Sequence, residues 1–259
     1  MALFTDGNVI SLDELSQYES SLVQISSTHN IDVSAKVKLT LSIVGDRLLA
    51  WLLQNPGSDP QSVTRRVLGL STVVVTAPVE RWLCFDALAR FFEEAYNLQL
   101  NTRFQGKWTE YKNLAEDAAE ALFQTGVGIV YNPLPQPSLP SVLLASGTGM
   151  AGSIFLQTSW VDGSGVEGQL SPVNGLILSG TTGLQVTVAA NTGTVPPTAI
   201  GWNMYASTAA GNLTRQNNAP LAVSGSWQLP ASGLIAGPSP SGGQRPNAYV
   251  RLAKRIQRG

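Results

Sequence analysis

Few side chains of this sequence could perform acid–base or nucleophilic chemistry. The 259 residues include one histidine, His29, and one cysteine, Cys84. A single histidine cannot make a multi-histidine metal site, and a single cysteine excludes a disulfide within the chain and a multi-cysteine zinc site. A serine–histidine–aspartate triad would have to use His29, and the GxSxG pattern of a nucleophile elbow is absent.

Glu93 and Glu94 form the carboxylate pair that could act as an acid and a base. Neighbouring positions on a helix point about 100° apart, so the two side chains cannot face one substrate together. We therefore expect the chain not to be an enzyme and to carry no cofactor and no metal. His29 and Cys84 are expected at the edge of a core or helix terminus and inside a helix core, respectively.

The hydrophobic periodicity of residues 76–123 predicts two helices that pack as a hairpin. Apolar side chains recur at spacings of three and four residues, which places each set on one helix face. Pro78 suits a first turn, and Gly126 and Gly128 are expected to end the second helix. The two faces consist of Trp82, Phe85, Ala89, Phe92 and Tyr96, and of Phe104, Trp108, Tyr111, Ala115, Ala118 and Leu122.

Two more helices are predicted before this hairpin, so residues 1–132 are expected to form a four-helix-type bundle. A capping box at Ser11 and Glu14 starts a helix that continues to about His29. The next helix starts after Asp32 and ends at Asn55, where a proline and a glycine follow.

The stretch between residues 55 and 75 is ambiguous. Its second part, Val67–Val75, is rich in β-branched residues and fits either a short strand or an extended connection. Arg65 and Arg66 could contact a partner or simply be solvated.

After residue 132 the sequence no longer has helical periodicity. Residues 133–140 contain four prolines and are predicted to form a stiff linker. Residues 141–237 combine alternating segments with Gly/Ser-rich turns, which predicts an immunoglobulin/fibronectin-III-like β-sandwich. Residues 238–259 are predicted to be a flexible, basic C-terminal arm. The expected fold class is α+β and multidomain.

Charge is unevenly distributed along the chain. Residues 1–135 have a balance of −5, residues 136–243 of −1 and residues 244–259 of +5, which together give the net charge of −1. No secretory signal and no run of about 20 apolar residues is visible, so we expect no membrane insertion. Tyr249, Leu252 and Ile256 share one helical face, and so short a helix is expected to order only on a partner.

Two stretches of the sequence resemble known phage proteins. The predicted hairpin resembles the α-helical bundle of tailed-phage head–tail connector (adaptor) proteins, through the Phe85–Leu88–Phe92 face, the Arg103–Lys107–Tyr111 pattern and the exit from Gly126 to Pro133. Residues 158–172 and 199–220 resemble fibronectin-III-type modules of phage structural proteins. Trp160 and Glu167 flank a turn in the first of these stretches, and Trp202 and Tyr205 lie on a strand in the second.

The resemblance implies a structural virion protein of the phage neck, made in the host cytoplasm. Such an adaptor forms a homo-oligomeric ring, twelvefold in that family, and docks on the portal protein by its C-terminal segment. It also contacts a tail-side neck or tail-terminator protein, while DNA passes through without specific binding. The isolated chain is expected to be monomeric. The docking residues carried over are Tyr249, Val250, Arg251, Leu252, Lys254, Arg255, Ile256 and Arg258.

Two other functions fit parts of the sequence. The chain could be a tail- or baseplate-associated module whose β-sandwich binds carbohydrate or a host surface, because exposed aromatic rings stack on sugars. Trp160, Trp202 and Trp227 are the candidates, and the competing interpretation is that they are core residues. The basic tail could also be a nucleic-acid-binding arm, although five cations with one tyrosine are a weak signal.

Overall fold

The structure, a computed structural model, describes residues 1–7, 9–54, 68–100, 102–146, 151–179, 182–187 and 195–251. These residues form an α+β fold of five α-helices and antiparallel sheets. The chain divides into two compact units. The helical unit consists of Gly7–Val130 and the segment that begins at Pro246, and the β unit consists of Met1–Asp6 and Tyr131–Arg245.

The helical unit contains all five α-helices. They are α1 (Leu12–Tyr18), α2 (Leu22–His29), α3 (Val33–Gln54), α4 (Ala77–Gln99) and α5 (Thr102–Thr125), with a 3₁₀ turn at Leu70–Thr72. The predicted hairpin is confirmed: α4 and α5 pack along each other, and the rings of Phe92 and Tyr111 stack with centroids 5.6 Å apart. Trp82 is fully buried, and its ring meets Phe123 of α5 edge-on.

The first predicted helix proves to be two helices. The capping box at Ser11 is present, but α1 ends at Tyr18 and Glu19 adopts an extended conformation. Tyr111 donates a hydrogen bond to the Tyr18 carbonyl oxygen (3.1 Å) and thereby satisfies an acceptor that the helix end leaves open. The prediction of one continuous helix was wrong because this tertiary hydrogen bond stabilises the break.

The β unit contains two antiparallel sheets. One has the order β2–β5–β9, from β2 (Ser141–Ser146), β5 (Thr182–Thr187) and β9 (Ser226–Gln228). The other has the order β4–β3–β6–β7, with β8 also paired to β6. Its strands are β3 (Ala151–Asp162), β4 (Asn174–Ser179), β6 (Ala199–Ser207), β7 (Thr214–Arg215) and β8 (Leu221–Ala222).

One hydrophobic core serves both sheets of the β unit. It includes Ile154 and Leu156 of β3, Trp202 and Met204 of β6, and Trp227 of β9. Trp202 is fully buried and donates from Nε1 to the Ala222 carbonyl oxygen at 3.0 Å, so its one polar atom is satisfied. The β unit can therefore bury a large core although its sequence has few charges.

The segment predicted to be a linker packs into the β unit. Leu134 is fully buried and belongs to the core that both sheets share. Gln136 is also held in place. Its backbone N–H donates to Asp6 Oδ1 at 2.8 Å, and its side-chain amide donates to the Leu170 carbonyl at 2.6 Å. Residues 133–140 are thus a structural part of this unit rather than a free connection.

Candidate functional site

The C-terminal segment forms a strand on the helical unit. Strand β10 (Ala248–Val250) pairs antiparallel with β1 (Val127–Ile129), and the Asn247 N–H donates to the Ile129 carbonyl at 2.8 Å. On the other edge of β1, Val73 forms a bridge to Ile129. Of the segment Val67–Val75, predicted to be a short strand or an extended connection, the part from Val73 onwards is extended, whereas Leu70–Thr72 form a 3₁₀ turn.

Two glycines make room for this C-terminal strand. Gly126 has a φ of +112°, and a Cβ atom there would lie 2.8 Å from Arg251 Cγ and 3.0 Å from the Val250 carbonyl oxygen. A Cβ atom at Gly128 would lie 2.8 Å from Cγ of Pro246. Helix α5 does end before Gly126, as predicted, but the close approach of the C-terminal segment, Pro246 at Gly128 and residues 249–251 at Gly126, is what favours glycine at both positions.

The structure places three of the eight predicted docking residues. Tyr249 is half exposed, Val250 is buried and Arg251 is exposed. The expectation that Tyr249 lies on a helix is wrong, because pairing with β1 satisfies the backbone of residues 248–250 in an extended conformation. The other five, Leu252, Lys254, Arg255, Ile256 and Arg258, lie outside the described residues.

The prediction of a flexible arm from residue 238 is also wrong for residues up to 251. The Pro238 carbonyl accepts from the Arg215 N–H at 2.9 Å. Gln244 is buried, its Oε1 accepts from the Leu134 N–H (2.7 Å) and its Nε2 donates to the Asn132 carbonyl (2.8 Å). The satisfied amide holds the chain at Gln244, and the pairing of β10 with β1 holds residues 248–250, so the described residues show no free arm before Arg251.

Two residues of the connector-like pattern make a polar node at the break between α1 and α2. Lys107 Nζ lies 3.3 Å from Glu19 Oε2, and the Tyr111 hydroxyl shares its single proton between the Tyr18 carbonyl and the same Glu19 oxygen, 3.2 Å away. Burial acts to raise the pKa of Glu19, but the hydrogen bonds from Ser21 and Lys107 outweigh it and hold that pKa below its usual value. Lys107 and Tyr111 thus have a structural role within this unit.

The three tryptophans proposed to stack on sugars are core residues. Trp160, Trp202 and Trp227 are all buried within the core of the β unit. A ring that packs against protein on its faces cannot stack on a carbohydrate, so these residues do not form a glycan site.

A buried polar network in the β unit went unpredicted. The Tyr205 hydroxyl donates to the Glu167 carboxylate at 2.7 and 2.8 Å, and Asn203 donates to the same carboxylate. Asn217 donates to Asn203 Oδ1 at 2.8 Å and accepts from the Met204 N–H at 2.7 Å. The network ties the turn after β3 to β6. The resemblance to fibronectin-III-type modules singled out Glu167 and Tyr205, but no local pattern shows that two residues 38 positions apart meet.

Glu94, His29 and Cys84, which the sequence offers for acid–base or nucleophilic chemistry, lie in structural contacts. Glu94 pairs with Lys36, and His29 ends α2 with its ring 5.6 Å from the ring of Phe104. The prediction of a helix-terminal histidine is confirmed, as is that of a buried Cys84. Within the described ranges, no three His, Cys, Asp or Glu residues are grouped so that they could hold a metal ion.

The buried thiol predicts a loss of stability in alkali. Burial, with Glu14 and Glu80 nearby, raises the pKa of Cys84 to about 12 from an ordinary value of 9.0. The unfolded chain loses this proton first, so the stabilisation is complete below about pH 9 and falls as the pH rises towards 12. Burial also raises the pKa of Tyr111 and of Tyr205, which adds to the same trend.

We therefore expect the thermal unfolding midpoint, followed by circular dichroism, to fall between about pH 8 and about pH 11. The variant Cys84→Ala should show a shallower fall, because it lacks the thiol. A midpoint that is constant over this range, or an equal fall in both chains, would contradict the assignment.

Within the described ranges, no helix is long and apolar enough to cross a membrane. Neither a model of a known protein family nor the sequence of a curated protein matches this chain.

Proposed function

We propose that this chain is a structural virion protein of the phage neck, a ring-forming adaptor that docks on the portal and extends the DNA channel toward the tail. The observation that carries this proposal is the seating of β10 on the helical unit. It fixes the chain up to Val250, and the sequence beyond contains Arg251, Lys254, Arg255 and Arg258 without a single acid. A firmly anchored, basic and partly apolar terminus is suited to reach an acidic partner surface.

The arm would bind weakly as a single copy. Beyond Val250 its large apolar side chains are Leu252 and Ile256, whose burial would contribute about 3–6 kcal/mol, less than the cost of ordering the arm at roughly 1 kcal/mol or more per residue. A ring of copies on one portal would multiply the contacts through a high effective concentration. Docking through the arm therefore favours a ring that assembles on its template.

We infer that the two units have different tasks in the neck. The helical unit is the adaptor bundle of four-helix type, and the β unit is an immunoglobulin/fibronectin-III-like sandwich that decorates the neck. The core that collects residues from both sheets supports the sandwich. The acidic balance of residues 1–135 suits the wall of a channel that does not bind DNA phosphates, so DNA would pass through without specific binding. The tail-side neck protein would contact the other end of the ring.

The test is co-sedimentation with the candidate portal ring. The full chain is expected to sediment with the portal as a ring-sized complex. A chain truncated after Val250 is expected not to co-sediment, although it keeps its fold because β10 is intact. A second truncation after Arg245 removes β10 as well and separates loss of the arm from loss of the strand. Failure of the full chain to co-sediment would overturn the proposal, and co-sedimentation of the chain ending at Val250 would remove the arm from it.

A further inference from the structure

A groove lies in the helical unit between the second half of α3 and the last turns of α5. Its cavity volume is about 360 Å³. The rings of Trp51 and Phe123, which stack with centroids 5.2 Å apart, form its aromatic part together with the small side chain of Ala119. The rest of its lining consists of Arg47, Glu116, Glu120 and Gln124. Aromatic rings bordered by carboxylates suit a segment that combines apolar side chains with lysine or arginine.

The two glutamates of the groove have no cationic partner in the described part of the chain. Glu116 and Glu120 are exposed, and because they lie about one turn apart on α5 they share one side of the helix. No ion pair of the described residues includes either carboxylate. The guanidinium of Arg47 lies over the ring of Trp82, 4.9 Å from its centroid. Two carboxylates against one guanidinium leave the lining with a net charge of −1, which favours a basic ligand.

The basic C-terminal arm begins close to this groove. Gly126 directly follows α5, and a Cβ atom there would lie 2.8 Å from Arg251 Cγ. Along a helix, Glu120 lies about 9 Å and Glu116 about 15 Å before the position of Gly126. Residues 252–258 can span about 23 Å when extended. The arm can therefore reach both glutamates of its own chain.

We infer that residues 252–258 bind this groove in the free chain, so that each copy holds its own arm until the portal displaces it. The two large apolar side chains of the segment would cover the aromatic rings, and its three cations would lie near the two glutamates. Attachment at Arg251 gives the arm an effective concentration of about millimolar at the groove, an advantage that a separate ligand of equally weak affinity lacks. The inference rests on the proposed function for the role of the arm, and it adds a competing site for the same segment.

Disulfide formation within one chain tests the contact without a portal. The test variant combines Gln124→Cys in the groove with Ile256→Cys in the arm, and the native Cys84 is buried. The matched control combines Ile256→Cys with Ala121→Cys, because Ala121 is exposed on α5 but does not line the groove. Under mild oxidation we expect at least about fivefold more intrachain disulfide with Gln124→Cys than with Ala121→Cys, measured by mass spectrometry of the linked peptides.

Charge variants of the chain with Gln124→Cys and Ile256→Cys test whether the glutamates select the arm. Glu120→Lys should lower the yield of intrachain disulfide about twofold or more, because it replaces an attraction by a repulsion. Asp117→Lys makes the same change of charge at an exposed position of α5 outside the lining, so it should leave the yield unchanged.

Three results would overturn the inference and leave the proposed function intact. They are equal yields from Gln124→Cys and Ala121→Cys, disulfides that form only between chains, and an equal effect of Glu120→Lys and Asp117→Lys. The opposite case is a chain that forms the intrachain disulfide as expected but does not co-sediment with the portal, which would contradict the proposed function alone.

Discussion

Replacing Trp202 with alanine is expected to lower the free energy of unfolding by about 3–5 kcal/mol. The indole is fully buried in the core that the two sheets of the β unit share. Truncation leaves a large cavity there, and it also removes the indole hydrogen bond to the Ala222 carbonyl, which keeps its bond from the Gly225 N–H at 2.7 Å. Urea unfolding followed by circular dichroism measures the loss.

Two variants make this result specific. Trp202→Phe keeps an aromatic ring but loses the indole N–H, so we expect a smaller loss of about 1–3 kcal/mol. Ile177→Ala, at an exposed position of β4, is expected to change stability by no more than about 0.5 kcal/mol. Core truncations of this kind usually cost several kcal/mol. A loss below about 1 kcal/mol for Trp202→Ala would therefore show that its ring is not packed in the core.

Replacing Gly126 with valine is expected to release the C-terminal strand and to cost about 2–4 kcal/mol. The backbone there has a φ of +112°, which is strained for any residue with a Cβ atom. The added side chain would also meet Arg251, Val250 and Tyr249, so β10 must move away from β1. Cleavage by chymotrypsin after Tyr249, detected by mass spectrometry, reports the release.

Gly152 supplies the matched control, because its φ is +110° and no atom would lie within 4 Å of an added Cβ. Gly152→Val should therefore show the cost of backbone strain without release of the strand. Two results together would contradict the prediction: an equal loss of unfolding free energy in both variants, and no increase in cleavage after Tyr249 in either. The close packing of β10 against Gly126 would then not contribute to stability.

The sequence predicted the elements whose stability comes from local periodicity. The α4–α5 hairpin was identified because its apolar residues repeat with a helical period over many turns. The end of α5 was found because Gly126 follows the last periodic residue. Such signals depend on neighbours a few residues away, which a single sequence displays directly.

The missed features depend on partners far away in the chain. The break after Tyr18 is stabilised by Tyr111, 93 residues downstream. Strand β10 has three residues and forms only because it pairs with Val127–Ile129. A segment this short shows no periodic pattern from which it could be predicted. Gln244 sits in a Gly/Ser/Pro-rich stretch that is typical of a linker, and its burial depends on Asn132 and Leu134.

The candidate site shows the same division. The composition of the sequence shows that residues 244–259 are basic. It does not show that β10 in this segment pairs with β1 of the helical unit. Alternation places an aromatic residue on one face of a strand but cannot say which face is covered. For that reason the sequence left open whether Trp160, Trp202 and Trp227 were buried, and the structure decides it.

The pairing of β1 with β10 also makes Tyr131–Arg245, the larger part of the β unit, an insertion within the helical unit. The chain leaves the helical unit after Val130 and returns at Pro246, between two strands that are hydrogen-bonded neighbours. An Asn-Gly turn that connects Ile129 directly to Ala248 would therefore convert the ladder into an ordinary β-hairpin. A chain that starts at Gly7 and carries this shortcut would be a minimal helical scaffold, onto which a different domain could be grafted at the same turn.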